Sequence, residues 1–311
     1  MLTWRLKEKE LVGIIDGFRK TQLEQSQTLD HVFERVAPRI FESTSPNAAD
    51  AIRFVQIAAR LDVSLPPSTP LKFLCVDGNW RQRSDGLVVL SDIDLEYLLP
   101  EAWLCRHLIS PEYEKGMQGS DALIWRKWAV QPQKGGLSSF ARPVPVNSNV
   151  WNLDPTLFRA RGSSVPLARW RSTKYECTDF NWDRAILDHW NRLESSDGAT
   201  IWLDIARAVI SAWSAEWDEL TLYQVHQQKS SRSRIDDKNT PAAWLHELRS
   251  RACVPDTYGT ARIPAELLRR TPETSALLYI EPFVHESWDT AELQTGLDRL
   301  GVRSQATEVT I

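Results

Sequence analysis

The chain has 311 residues, enough for one large domain or two of ordinary size. Apolar residues make up 42% and charged ones 25%, with 37 basic side chains against 41 acidic, which excludes a disordered chain and a generally basic nucleic-acid coat. Thirteen glycines leave few places where backbone can close around a phosphate, and no uncharged apolar run reaches the roughly 18 residues of a membrane span.

The N-terminus turns charged at once and lacks the apolar centre of a signal peptide. Residues 5–42 read as helical, with Leu11, Ile14, Ile15 and Phe18 and then Leu29, Val32, Phe33 and Val36 on apolar faces; Pro38 is expected to kink or end the helix. A second helix is predicted from about Asn47 to Leu61, where Ala51, Phe54, Val55, Ala58 and Leu61 recur at helical spacing. Pro66, Pro67 and Pro70 then mark a rigid connection. Leu71–Val76, the turn Asp77-Gly78-Asn79, and Gly86–Leu90 read as strand, turn and strand.

From Gln131 to Tyr175 the pattern dissolves among Pro132, Pro143, Pro145, Pro155 and Pro166, and no regular element is expected there. Two aromatic stripes follow: Trp182, Ile186, Trp190 and Leu193, then Trp202, Ala206, Val209, Trp213, Trp217 and Leu220. Helical spacing points such rings inward, so they are read as packed core rather than a stacking platform. Segment 228–239 is polar and reads as a linker or exposed loop.

Two stretches share an ordered set of signals. Val76-Asp77-Gly78-Asn79-Trp80-Arg81 is matched by Asp256-Thr257-Tyr258-Gly259-Thr260-Ala261-Arg262, with Arg three residues after Gly in each. Trp125, Trp128, Ala129, Val130 and Gln133 are matched by Leu297, Leu300, Gly301, Val302 and Gln305. The offset is 181 residues at the glycines and 172 at the close, as expected if intervening loops changed length. Pro264 is placed to open a helix over Ala265–Leu268. The expected fold class is α+β: helix-rich, two related strand–turn–helix modules with small sheets, joined by an irregular Pro/Arg-containing segment. The corresponding organisation is a helical region plus first module over 1–134, a basic connection over 135–175, and a Trp-rich helical region plus second module over 176–311.

The second copy is the more distinctive. Trp244-Leu245 with Leu248, Val254-Pro255, Gly259, Pro264, Leu267 and Leu300-Gly301-Val302 resembles a recurrent module of large bacterial sacsin-like proteins. The resemblance covers 241–311 and, more weakly, 71–133. It implies a phage-defence-associated system whose GHKL-type ATPase domain lies elsewhere. This chain departs from that ATPase domain, having neither an Asp-x-Gly-x-Gly motif nor a glycine-rich lid. The resemblance therefore implies a non-ATPase portion and transfers no catalytic or nucleotide-binding residue.

Catalytic chemistry finds no local support. The six histidines are dispersed, and no HExxH, Gly-x-Ser-x-Gly or Walker sequence occurs. Cys75, Cys105, Cys177 and Cys253 lie too far apart for a zinc site or disulfide framework and fit reduced thiols, so the chain is expected to be cytoplasmic. Asp92, Asp94 and Glu96 alternate, which on a strand would align three carboxylates and suit a divalent cation in a metal-dependent hydrolase; a charged, solvated edge is favoured over that distant alternative.

Charge distribution is more informative. Residues 85–121 carry eight acids and two bases, whereas 125–175 carry nine bases and one acid, Asp154. Arg142, Arg159, Arg161, Arg169, Trp170, Arg171 and Lys174 are the candidate contacts. Cations interleaved with aromatics suit a nucleic-acid backbone and bases. The net acidity of the chain favours the other destinations, the neighbouring acidic segment or a protein partner. The expectation is a non-catalytic, cytoplasmic interaction or scaffold segment with no cofactor and no metal. Its partner would be a protein, an ATPase of the same system; the alternative is a nucleic-acid-binding module.

Overall fold

The computed structural model describes residues 25–90, 93–149, 161, 175–227, 234–235, 240–274 and 282–305, which form a helix-rich α+β fold. Two compact units divide the chain: one takes residues to Val89 together with Cys105–Ser138, the other Leu90–Leu104 together with Ser139 onward.

In the first unit, α1 (Gln25–Phe41) runs through Pro38 rather than ending there. Buried Ala37 and Phe41 carry its apolar stripe across the proline, and Glu42 N still bonds the Pro38 carbonyl at 2.8 Å. The predicted helix start at residue 5 lies outside the described residues. Helix α2 (Ala48–Arg60) begins where its cap is encoded: the Asn47 side chain accepts from Asp50 N at 3.1 Å. Phe54 of α2 meets Phe33 and Phe41 at ring separations of 5.0 and 5.7 Å.

Strand β1 (Lys72–Leu74) pairs antiparallel with β2 (Trp80–Gln82), turning at Gly78, whose φ of 78° suits a residue without Cβ. The returning strand is thus not Gly86–Leu90 as expected. Arg83–Asp85 form a 3-10 turn first, and only Val88 bridges afterwards. Helix α3 (Glu101–His107) precedes a second 3-10 turn at Pro111–Tyr113, and α4 (Gly119–Ala129) closes the module. Tyr113 stacks on Trp125, and Trp125 on Trp128, within the core.

The second unit holds a four-stranded antiparallel sheet in the order β3 (Val144–Asn149), β4 (Tyr175–Asn181), β5 (Gln224–Gln227), β6 (Arg234–Ile235). Two of these strands fall in stretches expected to be irregular. Pairing uses main-chain groups that a polar segment such as Val144-Pro145-Val146-Asn147-Ser148-Asn149 also has, so the ladder forms without apolar alternation. Helix α5 (Arg184–Asp197) is capped by Asp183, and α6 (Ile201–Ser211) is followed by the short α7 (Ala215–Asp218). The second aromatic stripe is therefore broken near Ala212, yet its rings converge. Trp182 lies 5.0 Å from Trp190, 6.2 Å from Trp217 and 5.5 Å from Trp244 of α8 (Ala243–Ser250). Most of both stripes is core, as spacing predicts.

Strands β7 (Val254–Pro255) and β8 (Ala261–Arg262), a 3-10 turn at Pro264–Glu266 and α9 (Gln294–Leu300) complete the second module. Pro264 opens that 3-10 turn rather than a helix to Leu268, because Leu268 is drawn into bridges with Phe283 and Arg303.

The modules share one main-chain hydrogen-bond plan. Gly78 N bonds Cys75 O at 2.9 Å and Gly259 N bonds Asp256 O at 2.8 Å. Val88 lies between His107 O and Ile109 N as Leu268 lies between Pro282 O and Val284 N. Ser110 N reaches Leu74 O as His285 N reaches Pro255 O. Ser138 closes the first module on Leu87 O and Val89 N, and Arg303 closes the second on Leu267 O and Arg269 N. This plan corrects the matching of Val130 with Val302. The residue placed like Val302 is Leu137, because the segment from Val130 to Gly136 is interposed after α4.

Candidate functional site

With the backbone plan in common, the modules differ in side chains that change together. In the first, the Tyr113 hydroxyl accepts from Leu74 N at 3.0 Å, and burial pushes the phenol pKa well up. The corresponding positions in the second hold Trp288, which has no hydroxyl, and Pro255, which has no N–H to satisfy. Arg83 donates to Leu65 O at 3.0 Å, to Lys134 O at 3.1 Å and to Pro66 O, fixing the interposed segment. Its counterpart, where nothing is interposed, is Pro264. Glu114 receives a bidentate Arg126 at 2.7 and 2.6 Å. Its counterpart Asp289 is bonded by Arg269 at 2.9 Å, and Asp298 stands where Arg126 does.

A fourth difference opens a cavity. Each closing helix packs on another helix, α4 on α2 and α9 on α6; Gln56 of α2 also donates to Tyr113 O at 2.9 Å, and Arg207 of α6 to Ser287 O at 3.0 Å. On α9 the contact is closed at Gly296, where an added Cβ would stand 2.7 Å from Ile210 Cβ. The matching residue of α4 is Ile124, 47% exposed, beside Leu123 at 54%. Between α2 and α4 lies a cleft of about 280 Å³. Ile57, Met117, Ile124 and Trp125 supply its apolar wall, while Arg53, Arg60 and Lys115 supply cations against the single carboxylate Asp121. Arg60 reaches Asp121 at 3.1 Å and Lys115 reaches Glu112 at 3.0 Å, both exposed pairs of little strength. The indole N–H of Trp125 is buried with no acceptor among the described residues.

The β7–β8 turn is the other feature that faces solvent. Asp256, 2% exposed, accepts from Tyr258 N and Thr260 N, both at 2.9 Å, and from Arg262 at 3.0 Å. Burial pushes the Asp256 carboxyl up, but those bonds outweigh it and hold its pKa below the ordinary value. Thr257 donates to Phe283 O at 3.2 Å, and Gly259 has φ 79°. On this locked turn Tyr258 is 93% exposed. The first module's turn carries Asp77 there instead, held well below the usual carboxylate range by a bidentate Arg81. Cys253, beneath the second hairpin, is pushed up to about 12 by burial.

Of the basic residues singled out in the sequence, Arg161 is held by Asp179 at 2.7 Å, both side chains largely buried, and Arg142 is partly buried. Arg159, Arg169, Trp170, Arg171 and Lys174 lie outside the described residues, as do Asp92 and Asp154. Arg126 joins the basic stretch to Glu114 of the acidic one. Asp94 and Glu96 sit on a 3-10 helix, Ile93–Leu98, not a strand, so alternation does not align them. Among the described residues no group of three His, Cys, Asp or Glu is arranged to hold a metal ion, and no helix is long and apolar enough to cross a membrane. Sequence reading missed the cleft; its signal was Ile124 standing where the second closing helix has Gly296, next to paired apolar positions that do match. No family model, curated protein or solved structure matches this chain.

Proposed function

We propose that this chain is a non-catalytic interaction segment of a sacsin-like, phage-defence-associated system, and that it binds a protein, the ATPase of the same system. The observation that supports this reading is Tyr258. A large amphipathic ring stands in solvent on a turn whose backbone is already fixed by Asp256, so docking it costs little ordering entropy. Tyrosines of this kind supply much of the energy of protein interfaces. The engagement of Arg126 and Arg161 by carboxylates weighs against nucleic acid as their destination.

The test is co-purification with a GHKL-type ATPase encoded beside this gene. A complex is expected, and Tyr258→Ala should weaken it by about 2 kcal/mol while leaving the melting temperature unchanged. Absence of a complex, together with DNA or RNA binding that falls steeply with salt, would replace this reading with the nucleic-acid one.

A further inference from the structure

We infer that the α2–α4 cleft of the first module is a peptide-docking pocket that takes one large apolar side chain flanked by carboxylates from a partner protein. This inference rests on the interaction reading above and names a second contact, separate from Tyr258. The duplication supplies an internal comparison. The closing helices of the two modules each pack on another helix: α9 meets α6 tightly at Gly296, while Ile124 at the matching position of α4 lines an open cleft beside α2. An isoleucine in place of Gly296 would collide with Ile210, whereas the isoleucine at the matching position of α4, Ile124, lines the cleft.

Size and charge define the occupant. At about 280 Å³ the cleft falls below the roughly 300–1,000 Å³ of sites that enclose drug-sized ligands, and it suits a side chain better than a cofactor. Ile57, Met117 and Ile124 form an apolar seat, and a methionine wall adapts to differing shapes. Of the cations around it, Arg60 is paired with Asp121 and Lys115 with Glu112, and carboxylates beside the anchor can take the place of those acids at the rim. Arg60 and Lys115 now lean on exposed acids in weak pairs that an incoming carboxylate can replace.

The experiment selects random dodecapeptides displayed on phage against the immobilised full-length chain, with counter-selection on the variant Ile124→Glu. Enriched sequences should carry Leu, Ile or Phe between Asp or Glu residues. A fluorescein-labelled enriched peptide should lose about tenfold or more in affinity, by anisotropy, to Ile124→Glu and separately to Arg60→Glu. Because Ile124 and Arg60 are exposed, both variants should keep the wild-type circular dichroism and melting temperature. Basic or uncharged enriched sequences, no enrichment, or equal binding to Ile124→Glu would each overturn the proposal. So would self-association abolished by Ile124→Glu, which would make the occupant a second copy. If peptides fail while Tyr258→Ala still weakens the ATPase complex, only the cleft assignment falls; if both fail, the interaction reading falls with it.

Discussion

A tyrosine hydroxyl and a proline ring answer the same question in two places: what becomes of the main-chain N–H at the end of the first hairpin strand. In the first module Tyr113 accepts it; in the second, Pro255 removes it and Trp288 needs no hydroxyl. Tyr113→Phe should therefore cost roughly 1–2 kcal/mol in urea denaturation, because Leu74 N is left without its partner. Trp288→Phe should register only a change of packing. Asp256 makes a pH prediction. Its carboxyl is held below its ordinary pKa in the fold, so its contribution is complete above the unfolded value, near pH 4, and is lost as pH falls through the folded one. Comparing urea midpoints at pH 7 and pH 3, wild type should lose more stability than Asp256→Asn.

At the scale of elements, glycine and arginine control how closely pieces approach. Gly296→Ile, which copies the first module's residue, should destabilise by about 1–3 kcal/mol through overpacking on Ile210, and Ile210→Ala should restore part of the loss in thermal melts. Arg83→Ala should release the segment from Val130 to Gly136, and limited trypsin digestion should then cut faster after Lys134, whose carbonyl Arg83 holds. Much of this level was legible in the sequence. Asn47 marked a helix start, Gly78 and Gly259 marked turns, and paired apolar residues marked the closing helices. The β3–β6 sheet was not legible, since Val144–Asn149 is stabilised by main-chain bonds that leave no trace in hydropathy. The cleft was not legible either, because it is lined by residues of α2 and of a helix some sixty residues later, which only the fold brings together.

For the whole molecule, the net charge of −4 conceals local cancellation: Arg126 meets Glu114, Lys134 meets Asp62 and Arg161 meets Asp179. The shared plan rests on amide groups that every residue but proline owns, so two modules with very different side chains can carry it. The first unit is not contiguous, however. Residues Leu90–Leu104 belong to the second, where Trp190 donates to Leu98 O at 2.6 Å and Tyr97 to Asp204 at 2.5 Å. A fragment ending at Ser138 should accordingly bind a hydrophobic dye strongly, and co-expression of 139–311 should suppress that signal.

The same interleaving sets a schedule for synthesis. The bridge between Val88 and Ser138 can form as soon as Ser138 leaves the ribosome, but Leu98 must wait for Trp190, 92 residues later. At roughly 5–20 residues per second that delay is about 5–20 s. For that interval Leu98, Leu99, Trp103 and Leu104 trail in water as an apolar strip, a natural handhold for a chaperone riding the nascent chain.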